Sequence, residues 1–114
     1  ADLNVGDVRH LNFDKDVYDA VLCDASLMYI NPSEIKAVMM ILNDIAKRGI
    51  VIVDRYYESE LGELTSDGYI WARDYEKLLA WLGMDVTKLK LKKEDWPESE
   101  RWSQNGWIWW GVKP

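Results

Sequence analysis

The chain has 114 residues, of which 48% are apolar and 30% charged, and a formal net charge of −6. Such a length and composition fit one folded domain with a modest core and argue against a disordered chain. The acidic balance argues against sequence-independent binding to nucleic acid, which needs cations clustered along the phosphates.

Residues 18–23, Tyr-Asp-Ala-Val-Leu-Cys, read as a strand. A helix follows, with Asn31 suited to the N-cap, Pro32 to the first helical position and Glu34 where a capping box closes. Ile35, Val38, Met39, Leu42, Ile45 and Ala46 form its apolar stripe. Lys47 and Arg48 favour its negative end, and Gly49 suits a left-handed terminating residue. Residues 50–54, Ile-Val-Ile-Val-Asp, are an unbroken apolar run of β-branched residues ending in an acid, which implies a strand buried on both faces of a parallel sheet. Strand, helix and strand at this spacing predict a crossover unit. A second helix is expected from about Arg73 to Leu82, with Tyr75, Leu78, Leu79 and Leu82 on one face and Gly83 as its stop. Residues 84–92 read as a strand with Thr87, Leu89 and Leu91 on one side. Lys88, Lys90 and Lys92 on the other form a comb of the kind that blunts an exposed sheet edge. Residues 93–105, with Trp96, Pro97 and Trp102, read as a loop, and residues 107–112 as the last strand.

No apolar run is long enough to span a bilayer, and no signal peptide is recognisable. Cys23 is the single cysteine, so no disulfide framework forms within the chain and a reducing, cytoplasmic compartment is expected. One Cys and one His make a zinc site unexpected, and no metal is assigned. Seven tryptophans and six tyrosines suit either a small core and its edges or a surface that meets a ligand or a subunit.

Five segments, in order, resemble the C-terminal half of the class I S-adenosylmethionine-dependent methyltransferases of the type 11/12 kind. They are Gly6-Asp7-Val8-Arg9-His10-Leu11-Asn12-Phe13, then Tyr18 to Cys23, Leu27-Met28-Tyr29-Ile30, Lys47 to Ile52, and Arg73 to Leu79 followed by Leu82-Gly83-Met84. The resemblance implies an α/β fold: a partial Rossmann-like sheet of mostly parallel strands, closed by a C-terminal antiparallel hairpin, with helices packed on it. It gives Asp7 the role of acceptor for the adenine amino group, a task suited to a carboxylate, with Val8 packing beside the ring. Cys23 and Asp24 would sit at the carboxyl end of a strand, where open α/β sheets bind ligands. Ser26, Leu27, Tyr29, Arg55 and Tyr56 would line the methyl-acceptor side, and Asp24, His10 and Tyr29 are the candidates for a base. Plainer roles stand beside these. Asp7 suits a turn, Asp24 a loop cap, His10 the surface and Cys23 the core. Arg55 suits a surface pair with Asp54 or Glu58.

The family's glycine-rich cofactor loop and its ribose-binding acid have no counterpart among the seven glycines and their surroundings. The chain opens at Ala1 as an excised or processed piece would. Tight binding of S-adenosylmethionine by one chain is therefore not expected. In the family the strand matching residues 18–23 pairs with the first strand, so Ala20-Val21-Leu22 would here form an exposed apolar edge. A homodimer, or an N-terminal half supplied separately, is the expected partner. Two functions follow. One is a methyltransferase-like enzyme active when complemented, with a small-molecule acceptor favoured because Ala25-Ser26 follows Asp24 where nucleobase methylation would call for Pro-Pro-aromatic. The other is a non-catalytic module that dimerises or binds a partner.

Overall fold

The apolar stripe expected from Ile35 does form a helix, α1 (Ile35–Ile45), and its Ile35, Val38, Met39, Leu42 and Ile45 are buried. The computed structural model describes residues 6–11, 13–95 and 99–114, so Asn12, Trp96 and Pro97 lie outside the described residues. Before α1 come a 3₁₀ turn (Val8–His10), strand β1 (Tyr18–Asp24) and a second 3₁₀ turn (Leu27–Tyr29). After it come β2 (Ala46–Arg55), β3 (Glu63–Leu64), β4 (Trp71–Ala72), α2 (Tyr75–Trp81), β5 (Asp85–Lys90), α3 (Glu100–Asn105) and β6 (Gly106–Val112). The main sheet has the order β1-β2-β6-β5, and β3 and β4 make a separate small hairpin. β1 and β2 are parallel, joined by the α1 crossover, whereas β6 runs antiparallel to both β2 and β5. The expected closing hairpin is present, but the mostly parallel sheet is not seen. Among the described strands one pairing is parallel, because β6 returns between β2 and β5.

Cross-strand register sorts the sheet into two faces, since residues directly opposite one another share a face. Cys23, Ile52, Trp109 and Lys88 form one row, and Val21, Ile50, Gly111 and Val86 the next. These rows meet α1 and α2, whose Tyr75, Leu78 and Leu79 join Ile50, Ile52 and Trp109 in the core. The opposite face carries the rows Leu22-Val51-Trp110-Thr87 and Asp24-Val53-Ile108-Leu89. There Leu22 is 66% and Leu89 51% exposed. Burial of residues 50–54 therefore alternates, rather than covering both faces as the apolar run implies.

Four local expectations change. Lys47, Arg48 and Gly49 do not end α1; they lie within β2. The helix end is held instead by Lys113, whose ammonium donates to the carbonyls of Asn43 (2.6 Å) and Ala46 (2.5 Å), as a cation at a negative helix terminus should. Gly49 serves a close approach, since a Cβ there would strike the carbonyl of Gly111. Asn31 caps the turn before α1 by accepting from Ser33 N (3.0 Å), and its amide donates to Glu34 (2.9 Å) in place of a closed capping box. The loop expected over 93–105 contains α3, capped by Ser99. Finally, the lysine comb stands on the edge strand, but its Lys88 points to the helix side. It pairs with Glu76 of α2 at 3.0 Å, leaving Leu89 on the open face.

Candidate functional site

Long connections gather at one end of the sheet. The segments after β1 (25–34), after β2 (56–74) and after β5 (91–95 and 99–105) all lie there, whereas α1 passes into β2 with no intervening residue. This is the carboxyl end of the parallel pair, the place where an open α/β sheet leaves a crevice for ligands. The first of these segments starts with an unusual backbone. Ala25, just beyond β1, has a φ of 51°, a left-handed conformation that costs a residue with a Cβ. Its N–H donates to the Val53 carbonyl (2.8 Å), which fixes the turn against β2.

A buried guanidinium ties the segments together. Arg73 is fully buried. Its Nε donates to Leu61 O (2.9 Å), Nη1 to Leu27 O (2.8 Å) and to the Tyr75 hydroxyl (3.2 Å), and Nη2 to Ile30 O. One side chain thus bonds carbonyls from two loops, of which Leu27 O also accepts from Ile30 N within its 3₁₀ turn. Gly62, with a φ of +126°, lies against it; a Cβ there would come within 2.9 Å of the guanidinium. The Tyr75 hydroxyl donates to Asp54 Oδ2 (3.3 Å), while Arg55 N donates to Oδ1 (2.8 Å). Burial pushes the Asp54 carboxyl up to about 6, against those hydrogen bonds and the nearby Arg73 charge. Burial likewise holds the Tyr75 phenol well above its ordinary range.

Beside this network is a cleft of about 220 Å³, lined by Arg55, Tyr56, Tyr57, Thr65, Ser66, Ala72 and Asn105. Its walls come from the end of β2, the β3–β4 hairpin and the end of α3. The Tyr56 N–H donates to Asn105 O (2.8 Å), which closes one side. Arg55 is nearly buried, its Nη1 bonded to Asp67 (3.3 Å) and its guanidinium 6.0 Å from the Trp102 ring. A second, smaller cleft of about 130 Å³ adjoins Tyr56 and is lined by Lys88, Trp107 and Trp109. Among the described residues there is no cluster of three or more His, Cys, Asp or Glu that could hold a metal, and no helix long and apolar enough to cross a membrane.

The residues singled out in the sequence divide into four groups. Arg55 and Tyr56 meet in the cleft; Arg55 pairs with Asp67 rather than with Asp54 or Glu58. Asp24 ends β1, and Ser26 and Tyr29 stand on the segment after it, Tyr29 at 56% exposure. Leu27 and Cys23 belong to the core. Burial pushes the Cys23 thiol up to about 11, although a hydrogen bond with Ser26 opposes this, so it is no thiolate at neutral pH. Val8 and His10 lie on the first 3₁₀ turn and Asp7 caps it, His10 exposed and Val8 packed on the core. Sequence reasoning overlooked Arg73 as an organiser, and Thr65 and Asn105 as cleft walls. A signal for the hairpin was present: Asp67-Gly68 is a turn pair, and Gly68 has a φ of +84°.

The residues present do not fit S-adenosylmethionine as a ligand of this chain alone. Both Asp7 oxygens are engaged by the Arg9 fork at 2.6–3.1 Å, which holds that carboxyl well below the usual carboxylate range. The left-handed glycines Gly62, Gly68 and Gly83 stand in turns or at a helix stop, and none opens a helix after a buried strand.

No protein-family model matches the chain, and no curated protein matches it by sequence. Solved structures do match. Magnesium protoporphyrin IX methyltransferase (ChlM) from Synechocystis PCC 6803, with bound SAM, superposes with a TM-score of 0.64 at 17% identity, over 96% of this chain and 44% of that one. A chain of the complex between the Haloferax volcanii Trm112 methyltransferase activator and the putative methyltransferase gives 0.68 at 16% identity, over 97% and 61%. The [4+2]-cyclase SpnF gives 0.63 at 15%, over 99% and 56%. The fold is therefore methyltransferase-like, and the chain spans 44–61% of the length of these three structures. The presence of a cyclase among them separates the fold from any one reaction.

Proposed function

We propose that this chain is the acceptor-side, C-terminal half of an S-adenosylmethionine-dependent methyltransferase-like protein, acting on a small molecule and dependent on a partner for its cofactor grip. One observation carries the reading. On a methyltransferase-like sheet, the segment after β2 and the end of α3 enclose a cleft at the carboxyl end of the parallel pair, while the β1 edge, with Leu22 66% exposed, has no strand beside it among the described residues. An unpaired strand edge is a template for pairing, and the partner is either a second copy or a separately supplied N-terminal half. This chain's own residues would bind and orient the acceptor. The reaction expected of the assembled protein is methyl transfer.

The test is a calorimetric titration with S-adenosylhomocysteine, with the oligomeric state followed by sedimentation in the same buffer. Saturable binding confined to an assembled species is the expected result. Micromolar binding by a monomer would overturn the need for a partner. No heat at millimolar ligand in any assembly state would overturn the cofactor reading. A second reading would then stand, a non-catalytic dimerisation or partner-binding module. The contiguous apolar rows around Val51, Val53, Ile108 and Trp110 favour it.

A further inference from the structure

We propose that the cleft at the end of β2 is a binding site for a small aromatic carboxylate, its carboxylate seated between the Arg55 guanidinium and the Thr65 hydroxyl. Among the described residues, the buried side-chain atoms without a hydrogen-bond partner are Arg55 Nε and Thr65 Oγ1. Both residues line this one cleft. An orphaned buried polar group is costly and rare, and each instance calls for a missing partner. Two at the same site are best satisfied by one ligand with two acceptor oxygens. Nε is an obligate donor, and the hydroxyl rotates to donate as well.

The surroundings narrow the class. Arg55 is held by Asp67 on its Nη1 and lies 6.0 Å from the Trp102 ring, so its remaining edge is fixed in direction before any ligand arrives. Asp67 also offsets part of its charge. One partly compensated cation, on a chain of net charge −6, suits a monoanionic carboxylate better than a phosphate dianion. The other walls, Tyr56, Tyr57 and Ala72, offer rings and a methyl group to a flat apolar body. At about 220 Å³, the cleft is smaller than the roughly 300–1,000 Å³ typical of drug-sized sites, which limits that body to about one ring. The link to methyl transfer rests on the acceptor-side reading above, whereas binding in the cleft does not.

Benzoate is the probe, titrated into the chain without any S-adenosyl ligand and followed by NMR shifts of the Tyr56, Tyr57 and Thr65 amides. Saturable binding is expected, with benzamide weaker by about tenfold because it carries no charge for Arg55. Thr65→Val preserves shape and removes the hydroxyl, and should weaken benzoate by about fivefold to tenfold with unchanged circular dichroism. Arg55→Gln should abolish binding, and Lys88→Gln, in the adjoining cleft, should leave it unchanged. Equal affinity for benzoate and benzamide, indifference to Thr65→Val, loss on Lys88→Gln, or no saturation at tens of millimolar would each overturn the site. If benzoate binds while S-adenosylhomocysteine does not, the site stands and the methyltransferase reading falls. If S-adenosylhomocysteine binds while benzoate does not, the site falls and the methyltransferase reading stands.

Discussion

The two faces of β2 are built from the same kinds of residue and live in different surroundings. Ile50 and Ile52 are wholly buried under α1 and α2, in rows that include Gly111 and Trp109. Val51 and Val53, one position away, look onto rows that include Leu22, Ile108 and Trp110, and are only partly buried. The contrast shows that a strand's composition records the environment it is written for. An apolar run of this kind is written for cover on both sides, and here one side supplies it. The closed face explains stability, and the open face predicts association.

The largest effect should come from removing the clamp on the closed side. Arg73→Met removes the hydrogen bonds from the guanidinium to the carbonyls of Leu27, Ile30 and Leu61 and leaves Asp54 without its buried cation. A loss of about 3–5 kcal/mol in denaturant unfolding is expected. A loss under about 1 kcal/mol would mean the loops are held by something else. Next is the paired test of the two faces. Ile52→Ala should cost about 2–5 kcal/mol, and Leu22→Ser should stay within about 0.5 kcal/mol at low concentration. If Leu22→Ser costs as much as Ile52→Ala, the open face is covered in solution, and sedimentation should then show that the substitution dissociates an oligomer.

A third test uses pH. With the Asp54 carboxyl at about 6 when folded, against about 3.9 when unfolded, the folded chain retains a proton that the unfolded chain has released. Stability from this group is therefore greatest at low pH and falls as pH rises from about 4 to 6, by roughly 2–3 kcal/mol in full. Asp54→Asn should remove that slope relative to the parent chain, and an unchanged slope would place the proton elsewhere. The smallest effect concerns the turn after β1. Ala25→Gly relieves a φ of 51° but frees the unfolded chain, for a net gain of about 0.5–1 kcal/mol. A loss there would mean the Ala25 methyl makes a contact worth more than the strain.

Much of the closed face was legible in the sequence because it obeys simple periods. Ile35, Val38, Met39, Leu42 and Ile45 repeat at helical spacing and are all buried, and Gly83 stops α2 with a φ of +85° as its position suggested. The failures lie where distant residues decide. Lys47, Arg48 and Gly49 look like a helix ending, yet the cation that holds α1 is Lys113, at the far end of the chain. Local pattern cannot report that partner. The site was half legible. Arg55 and Tyr56 followed from strand-end position, whereas Thr65 enters the cleft through a two-residue hairpin too short to show a period. Arg73 reads as an ordinary helix-start cation, and its burial depends on Gly62 and on carbonyls of Leu27 and Ile30 more than forty residues away in sequence.

The direct passage from Ile45 of α1 to Ala46 of β2 has a further consequence. With no slack between them, the phase of the helix dictates the phase of the strand. One residue added within α1 would rotate its end by about 100° and offset β2 by one place, exchanging Ile50 and Ile52 with Val51 and Val53. Helix length thus acts as a ruler that selects which side of the sheet is sealed and which is offered outward. A change made far from any ligand would in this way turn the open face of the sheet inward.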